Sequence, residues 1–262
     1  MICAGIDAGS RAIKVVLFDS GAETMLASGV ADQGVEQEAL ARRLYGQVLA
    51  DAGVRREGVA RVVATGYGRN LIAFAGKTIT EITCHAHGVR HLAPGARTII
   101  DIGGQDSKVI HLDGDGSSGG GARVRDFAMN DRCAAGTGRF LEIAAARLNV
   151  ALTDLGALAS RSREPSVISS MCAVFAETEI IGLLASGAAP EDIAAGVQRS
   201  IAARVAAMAG RNLADPVVFT GGVALAPGMA FALESALGHP VSVAPHPQMT
   251  GALGAAILAA NT

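Results

Sequence analysis

The sequence predicts an α/β fold made of two lobes, and three observations support this prediction. The length of 262 residues exceeds that of a usual single domain but is short for three. Strand-like segments alternate with segments of helical apolar spacing. A motif of strand, Asp-x-Gly turn and strand occurs twice, which is typical of an internal duplication. We expect the lobes to comprise residues 1–92 and 93–262.

Composition restricts the environment and the partners of the chain. Half of the residues are hydrophobic but only 3% are aromatic, so the core must consist mainly of Ala, Val, Leu and Ile. A net charge of −2 provides no electrostatic footprint for nucleic acid or for an anionic membrane surface. The N-terminus lacks a basic segment, and no apolar run reaches the roughly 18 residues of a spanning helix. We therefore expect a cytoplasmic protein that binds neither nucleic acid nor membrane.

The duplicated motif has the same spacing in both copies. The first copy contains Asp7-Ala8-Gly9-Ser10 after an apolar strand, and Lys14 lies in the next strand. The second copy contains Asp101-Ile102-Gly103-Gly104, followed by Lys108 in a strand. Seven positions separate the aspartate from the lysine in each copy. Each copy is predicted to form a hairpin with an acidic residue and glycines at its tip.

These two tips carry the chemistry of a phosphate site. Glycine lets the backbone approach a phosphate closely and donate N–H groups, here from the turns Gly9–Ser10 and Gly103–Gly104. Asp7 and Asp101 are suited to hold Mg²⁺ through water. Two tips facing one another would clamp a polyphosphate. The alternative interpretation is that both aspartates only cap tight β-turns.

Two common nucleotide-binding motifs are excluded by their spacing. Gly76-Lys77-Thr78 resembles the end of a Walker A loop, but Leu71 occupies the position of the required earlier glycine. The glycine pairs in Gly66-Tyr67-Gly68 and Gly136-Thr137-Gly138 are not followed by a third glycine at the dinucleotide-binding spacing. Neither a P-loop nor a Rossmann site is expected.

Further elements follow from apolar periodicity. Helices are predicted at 36–52, 140–148, 173–184, 193–209 and 251–260, and strands at 59–64 and 217–220. Residues 113–121 are predicted to form a glycine-rich loop between paired strands at 109–112 and 123–127. Gly221–Gly222 follow a buried strand, where the backbone is suited to a close approach to adenosine. The helix at 251–260 is expected to pack back on the first lobe.

Two of the four cysteines are suited to ligate an iron–sulfur cluster. Cys133 and Cys172 each precede a predicted helix, with Asn, Asp or Ser nearby as caps. The partial positive charge of a helix N-terminus favours a thiolate and an anionic cluster. A cluster with four thiolates needs two cysteines from each subunit of a twofold dimer. The alternative is that both thiols are small buried hydrophobic groups.

The other two cysteines are not expected to bind metal. The chain has no CxxC pair, so a zinc site within one chain is disfavoured. Cys3 lies in a predicted strand and is interpreted as a buried apolar residue. Cys84 lies in Cys84-His85-Ala86-His87, where a structural or partner-facing role is preferred to a metal pair.

Taken together, these motifs resemble the ATPase activators of 2-hydroxyacyl-CoA dehydratases, which are related to the ATPase subunits of benzoyl-CoA reductase. The resemblance extends over nearly the whole chain. It rests on Gly5 to Ser10, Ala64 to Asn70, Cys84 to Ala86, Ile100 to Asp106, Asn130 to Leu141 and Thr220 to Ala224. The block from Asn130 to Phe140 is the most specific of these.

The resemblance implies a duplicated ribonuclease H-like fold, as in actin, Hsp70 and the acetate and sugar kinases, with Mg²⁺ and ATP or ADP in the cleft. It implies one [4Fe-4S] cluster bridging a homodimer through Cys133 and Cys172. ATP hydrolysis would drive single electrons from ferredoxin or flavodoxin into a dehydratase. His246-Pro247 is closer to the reductase subunits, so a subunit of a benzoyl-CoA reductase-type complex is the alternative.

The predicted site residues fall into three sets. Asp7 and Asp101 are predicted to be catalytic through Mg²⁺, and Gln105 is predicted to position the attacking water. Cys133 and Cys172 are the predicted cluster ligands. The predicted nucleotide-binding residues are Gly9, Ser10, Arg11, Lys14, Gly103, Gly104, Gly136, Thr137, Gly138, Gly221, Gly222 and Gln248. A small-molecule kinase, or a nucleotide sensor without a cluster, is a further alternative of the same fold.

Overall fold

The computed structural model describes residues 1–114, 122–169, 172–210 and 213–261, and the chain forms two compact units. The first unit comprises Met1–Ala96, Leu112–Arg125 and Ala244–Thr262, and the second comprises Arg97–His111 and Asp126–Val243. The C-terminal helix therefore belongs to the first unit. Most of the predicted glycine-rich loop, residues 115–121, lies outside the described residues.

The described residues contain two mixed five-stranded sheets and eight α-helices. The strands are β1 (Ile2–Ala8), β2 (Ala12–Asp19), β3 (Thr24–Asp32), β4 (Val59–Thr65), β5 (Lys77–Thr78), β6 (Thr98–Ile102), β7 (Ser107–Leu112), β8 (Val124–Asn130), β9 (Val217–Thr220) and β10 (Val241–Val243). The helices are α1 (Gln37–Asp51), α2 (Glu81–Leu92), α3 (Gly138–Arg147), α4 (Leu155–Ala159), α5 (Ala173–Ala185), α6 (Pro190–Ala209), α7 (Met229–Leu237) and α8 (Thr250–Ala260).

The first unit is built on a sheet with the strand order β3-β2-β1-β4-β5. β1 to β3 form an antiparallel meander, whereas β4 is parallel to β1, and β5 is parallel to β4. The strands are rich in Val and Ile, which suits a sheet covered on both faces. One apolar cluster joins the sheet to α1 through Tyr45 and Val48, and other clusters join it to α2 and α8.

Close packing of α8 depends on small residues. A Cβ on Gly5 would overlap the carbonyl oxygen of Ala252, and one on Gly254 would overlap the carbonyl oxygen of Cys84. Glycine therefore lets α8 approach both β1 and α2 at backbone distance. This contact explains why the final helix is composed almost entirely of Gly, Ala and Leu.

The second unit is built on a sheet with the strand order β10-β9-β6-β7-β8. β6 and β7 are antiparallel, while β9 is parallel to β6 on its other side. A single large apolar cluster joins this sheet to α3 through α7, with Phe140, Phe219 and Ile201 completely buried. β8 lies at the edge of the sheet beside β7. This agrees with the prediction of a strand at 123–127 that pairs with one at 109–112.

The five predicted helices are all present, and α2, α4 and α7 are additional. In the described part of the chain, no helix is both long enough and apolar enough to cross a membrane.

Candidate functional site

The first Asp–Gly tip joins β1 to β2. Asp7 is buried and lies opposite Lys14 in the antiparallel register, with Lys14 Nζ 3.2 Å from Asp7 Oδ2. The amide of Gly9 donates to the carbonyl of Ala12 at 3.1 Å, which closes the turn around the half-buried Ser10. A Cβ on Gly9 would lie 3.0 Å from Lys14 Nζ. Glycine at this position therefore leaves space for the ammonium group beside the carboxylate.

β4 confines the same carboxylate from the other side of β1. Thr65 is completely buried and lies opposite Asp7 in the parallel register. Gly66 follows with φ of +87°, and a Cβ there would overlap Asp7 Oδ1. Only glycine combines this left-handed backbone with so close an approach to the carboxylate. Asp7 is thus held in a narrow space with one cation beside it.

The second tip repeats this geometry with a more extensive network. Asp101 lies opposite both Lys108 and Thr220 in the strand register. Lys108 Nζ lies 3.2 Å from Asp101 Oδ2 and 2.9 Å from Asp106 Oδ2. Thr220 Oγ1 donates to Asp101 Oδ1 at 2.9 Å. Only 2% of the Lys108 side chain is exposed, so this cation sits almost entirely within the protein between two carboxylates.

The predicted segment Gly136–Gly138 packs directly on the second tip. Gly103 closes the turn by donating to the carbonyl of Asp106 at 2.9 Å. The amide of Gly138 donates to the carbonyl of Gly103, and the amide of Arg139 donates to that of Gly104, both at 2.9 Å. Thr137 caps α3 by accepting from the Arg139 amide at 3.3 Å. The structure therefore brings together two predicted phosphate-binding segments and the N-terminus of α3.

The remaining predicted nucleotide residues are placed as follows. Gln105 is exposed on the second tip, and Arg11 is exposed on the first, where it pairs with Asp32 at 3.6 Å. Gly221–Gly222 immediately follow β9, and Gly221 has φ of +90°. Gln248 is half-buried two residues before α8.

Sequence reasoning did not select three residues of the second tip. Lys108, Asp106 and Thr220 form the network around Asp101, but none was predicted to be a site residue. Two signals were available, because Lys108 has the spacing of Lys14 and Thr220 precedes Gly221 as Thr65 precedes Gly66.

The predicted cluster cysteines lie on neighbouring segments of the second unit. Cys133 is half-buried and directly precedes the 3₁₀ turn Ala134–Gly136, and Cys172 is exposed and directly precedes α5. α5 packs beside that turn. The Asn130 side chain accepts from the Cys133 amide at 3.0 Å and donates to its carbonyl at 2.8 Å. The backbone of Cys133 is therefore held from both sides.

The expected side-chain cap differs at Cys172. Cys172 itself is the N-cap residue of α5, and its side chain makes no capping hydrogen bond. Ser169 instead bonds to Glu179 through its amide and its hydroxyl, at 2.9 and 2.7 Å. A carboxylate from within α5 therefore holds Ser169.

The other two cysteines lie in the core of the first unit. Cys3 and Cys84 belong to one apolar cluster and are completely buried. Burial raises the pKa of the Cys84 thiol to about 12. Burial also raises the pKa of Cys3. Both thiols are therefore protonated at neutral pH, and Cys84 has a structural rather than a partner-facing position.

The donor set fits a cluster shared between two chains. Within the described ranges, no group of three His, Cys, Asp or Glu side chains is placed to hold a metal ion. Cys133 and Cys172 provide two accessible sulfur donors on adjacent segments. Four thiolates are required for a [4Fe-4S] cluster, so one chain offers half of the set.

Comparisons with known proteins cover nearly the whole chain. The profile of the BadF/BadG/BcrA/BcrD ATPase family matches residues 4–259. The chain is 44% identical over 260 residues to an activator of lactoyl-CoA dehydratase from Anaerotignum propionicum, covering 99% of this chain and 97% of the relative. It is 35% identical over 266 residues to a benzoyl-CoA reductase subunit from Thauera aromatica, covering 98% of this chain and 92% of the relative.

Solved structures establish the fold. The activator of 2-hydroxyisocaproyl-CoA dehydratase from Clostridium difficile, with bound ADPNP, superposes with a TM-score of 0.91 at 41% identity, covering 100% of this chain and 95% of that one. A ROK family glucokinase from Streptomyces griseus superposes with a TM-score of 0.60 at 15% identity, with 100% of both chains covered, which shows the fold alone. The predicted actin-like ATPase fold is therefore confirmed.

Proposed function

Because this chain belongs to the BadF/BadG/BcrA/BcrD ATPase family, we propose that it is an ATP-dependent one-electron donor that activates a 2-hydroxyacyl-CoA dehydratase. The observation that carries this proposal is the 44% identity over 260 residues to an activator of lactoyl-CoA dehydratase. The position of Cys133 and Cys172, accessible and on adjacent segments, supports the electron-transfer part of the proposal.

Each Asp–Gly tip carries groups suited to nucleotide binding. Asp7 and Asp101 would hold Mg²⁺ through water, and the amides of Gly9–Ser10 and Gly103–Gly104 would bind phosphate oxygens. Lys14 lies 3.2 Å from Asp7 and neutralises part of the charge that would otherwise oppose phosphate binding. Gln105 is exposed on its turn and is accessible to orient a water for attack. The nucleotide analogue in the Clostridium difficile activator supports ATP or ADP as the ligand.

Cys133 and Cys172 are the proposed ligands of one [4Fe-4S] cluster, completed by the same residues of a second copy of the chain. Such a cluster supplies a store for single low-potential electrons. Asn130 fixes the backbone at Cys133, and Glu179 of α5 pairs with Ser169. Cys172 is the N-cap residue of α5 and is exposed.

ATP hydrolysis would provide the driving force for electron delivery. For a one-electron step, about 59 mV corresponds to a tenfold change in the equilibrium constant. Nucleotide turnover can therefore support a reduction that ferredoxin or flavodoxin alone would not achieve. We propose a homodimer in the cytoplasm as the working form, with one of these carriers as the electron source.

A second candidate function is supported by a specific observation. The chain is 35% identical to the benzoyl-CoA reductase subunit from Thauera aromatica over nearly its full length. In that case the same nucleotide and cluster residues would serve an ATPase component within a reductase complex. Reconstitution with a dehydratase and with a reductase core would separate these two clients.

The test is the iron and sulfide content of anaerobically purified protein, together with its visible spectrum. The proposal requires about four irons per homodimer, lost in Cys133→Ser and in Cys172→Ser. Cys3→Ala is the matched control, because Cys3 is completely buried in the other unit and should leave the iron content unchanged. Iron-free wild-type protein, or full iron content in either serine variant, would contradict the proposal.

A further inference from the structure

A buried polar pair lies near the first Asp–Gly tip and takes no part in the proposed phosphate or cluster sites. His85 of α2 is 6% exposed, and Thr250, the first residue of α8, is completely buried. Their Nδ1 and Oγ1 atoms are 3.0 Å apart. Polar side chains in such positions are retained only where their hydrogen-bonding groups are used.

The other ring nitrogen of His85 and the carboxylate of Asp7 both lie close to Gly251. A Cβ on Gly251 would lie 3.2 Å from Asp7 Oδ2 and 3.3 Å from His85 Nε2. These two atoms therefore border the same small space, and glycine leaves it open. Gly88 of α2 lets the backbone of α8 approach closely at the same place. A Cβ on Gly88 would overlap the carbonyl oxygen of Thr250.

The hydrogen bond between Thr250 and His85 orients the imidazole ring. The Thr250 hydroxyl is 3.0 Å from Nδ1 but 3.4 Å from the carbonyl of Pro247. The contact orients the ring so that Nδ1 lies at Thr250 and Nε2 borders the space beside Asp7.

We propose that His85, oriented by Thr250, is a positioning residue that fixes the carboxylate of Asp7 for Mg²⁺ binding. The inference rests on the proposed function, since it assigns Asp7 to the Mg²⁺–nucleotide site. It makes α8, which lies far along the chain from Asp7, a part of that site. The arrangement parallels the partners that orient ligands in metal sites, whose removal lowers metal affinity by roughly 10- to 100-fold.

The experiment measures ATP hydrolysis as a function of Mg²⁺ concentration at saturating ATP, alongside thermal unfolding. His85→Phe removes the hydrogen bonds but keeps an aromatic ring, and His85→Gln retains polar atoms. Gly251→Ala inserts a methyl group between Asp7 and His85. Gly46→Ala is the matched control, because nothing lies within 4 Å of a Cβ at that helical position.

We expect His85→Phe and Gly251→Ala to raise the Mg²⁺ concentration for half-maximal rate by roughly 10-fold or more. His85→Gln should recover part of this loss, and Gly46→Ala should match the wild type. A change in unfolding temperature with an unchanged Mg²⁺ dependence in both folded variants would overturn the inference. If His85→Phe does not fold, Gly251→Ala and Thr250→Val provide the same test.

Asp7→Asn separates this inference from the proposed function. If Asp7→Asn abolishes Mg²⁺-dependent hydrolysis while the His85 and Gly251 variants behave as the wild type, only the positioning role is wrong. If Asp7→Asn hydrolyses ATP as the wild type does, the nucleotide site itself is wrongly assigned, and the inference fails with it.

Discussion

The two Asp–Gly hairpins share a strand register but hold their aspartates by different means. In the second, Lys108, Asp106 and Thr220 form a compact network around Asp101, with all four residues on or beside the same sheet. In the first, Lys14 is the cation and is 19% exposed, while the buried Thr65 hydroxyl makes no hydrogen bond to Asp7. The duplicated backbone has therefore been retained while the side chains around each aspartate have diverged.

This difference separates an aspartate held by an ion pair and a hydrogen bond within one sheet from one that lies close to helix residues. Asp101 contacts Lys108 and Thr220 of the two neighbouring strands. Asp7 lies beside Gly66, and a Cβ on Gly251 of α8 would lie 3.2 Å from its carboxylate. We therefore expect the second tip to be sensitive mainly to loss of its buried cation, and the first to be sensitive to changes in helix packing.

Removal of the two lysines should give the largest difference in stability between the two hairpins. Lys108→Met leaves the buried Asp101 without its cation, which we expect to lower the free energy of unfolding by about 3–5 kcal/mol. Lys14→Met affects a pair whose cation is 19% exposed, for which a smaller loss of about 1–3 kcal/mol is expected. Urea unfolding of both variants measures this difference. Equal losses would mean that the two tips are not electrostatically distinct.

Substitution of the glycines after β4 and β9 should have the next largest effect. Gly66→Ala and Gly221→Ala each force a side chain into a left-handed backbone, at a cost of about 1–2 kcal/mol, in addition to steric overlap. Gly66→Ala should also impair ATP hydrolysis, because the new methyl group would displace Asp7 Oδ1. Gly46→Ala is the control, since a Cβ at that position of α1 meets nothing within 4 Å. Activity of Gly66→Ala equal to that of Gly46→Ala would contradict the confinement of Asp7.

Substitution of the two threonines that lie opposite the aspartates in the strand register should change the free energy of unfolding by smaller amounts. Thr220→Val removes a hydrogen bond to a carboxylate, and such bonds contribute about 1.5–3 kcal/mol. Thr65→Val removes a buried hydroxyl that makes no hydrogen bond to Asp7, so we expect at most about 1 kcal/mol. Thermal unfolding of the two variants, compared with the wild type, checks the order. The reverse order would show that Thr65 supports Asp7 directly.

Local sequence signals were sufficient for the framework of the fold. The equal spacing of Asp7–Lys14 and Asp101–Lys108 predicts both hairpins, because antiparallel register follows from a short turn. Apolar periodicity predicts α1, α3, α5, α6 and α8. α2 was missed because Cys84 to Gly88 combines two histidines with a glycine, and its burial depends on close contact with α8.

The parts of the site that could not be predicted depend on long-range contacts. His85 and Thr250 are 165 positions apart, and Thr220 and Asp101 are 119 apart. No local pattern indicates that such residues meet. Lys108 was visible in the repeat, but its contact with Asp106 arises from the tight turn at Gly103, which the spacing alone does not specify.

The most direct test of the account is the rate of Mg²⁺-dependent ATP hydrolysis in Asp7→Asn and Asp101→Asn, with the exposed Asp51→Asn as control. If both hairpins act on the nucleotide, each of the two variants should lose at least about 10²-fold in rate, the order expected for one charge-stabilising group, whereas Asp51→Asn should match the wild type. A wild-type rate in either Asp7→Asn or Asp101→Asn would show that only one of the two hairpins serves ATP hydrolysis and would contradict the account.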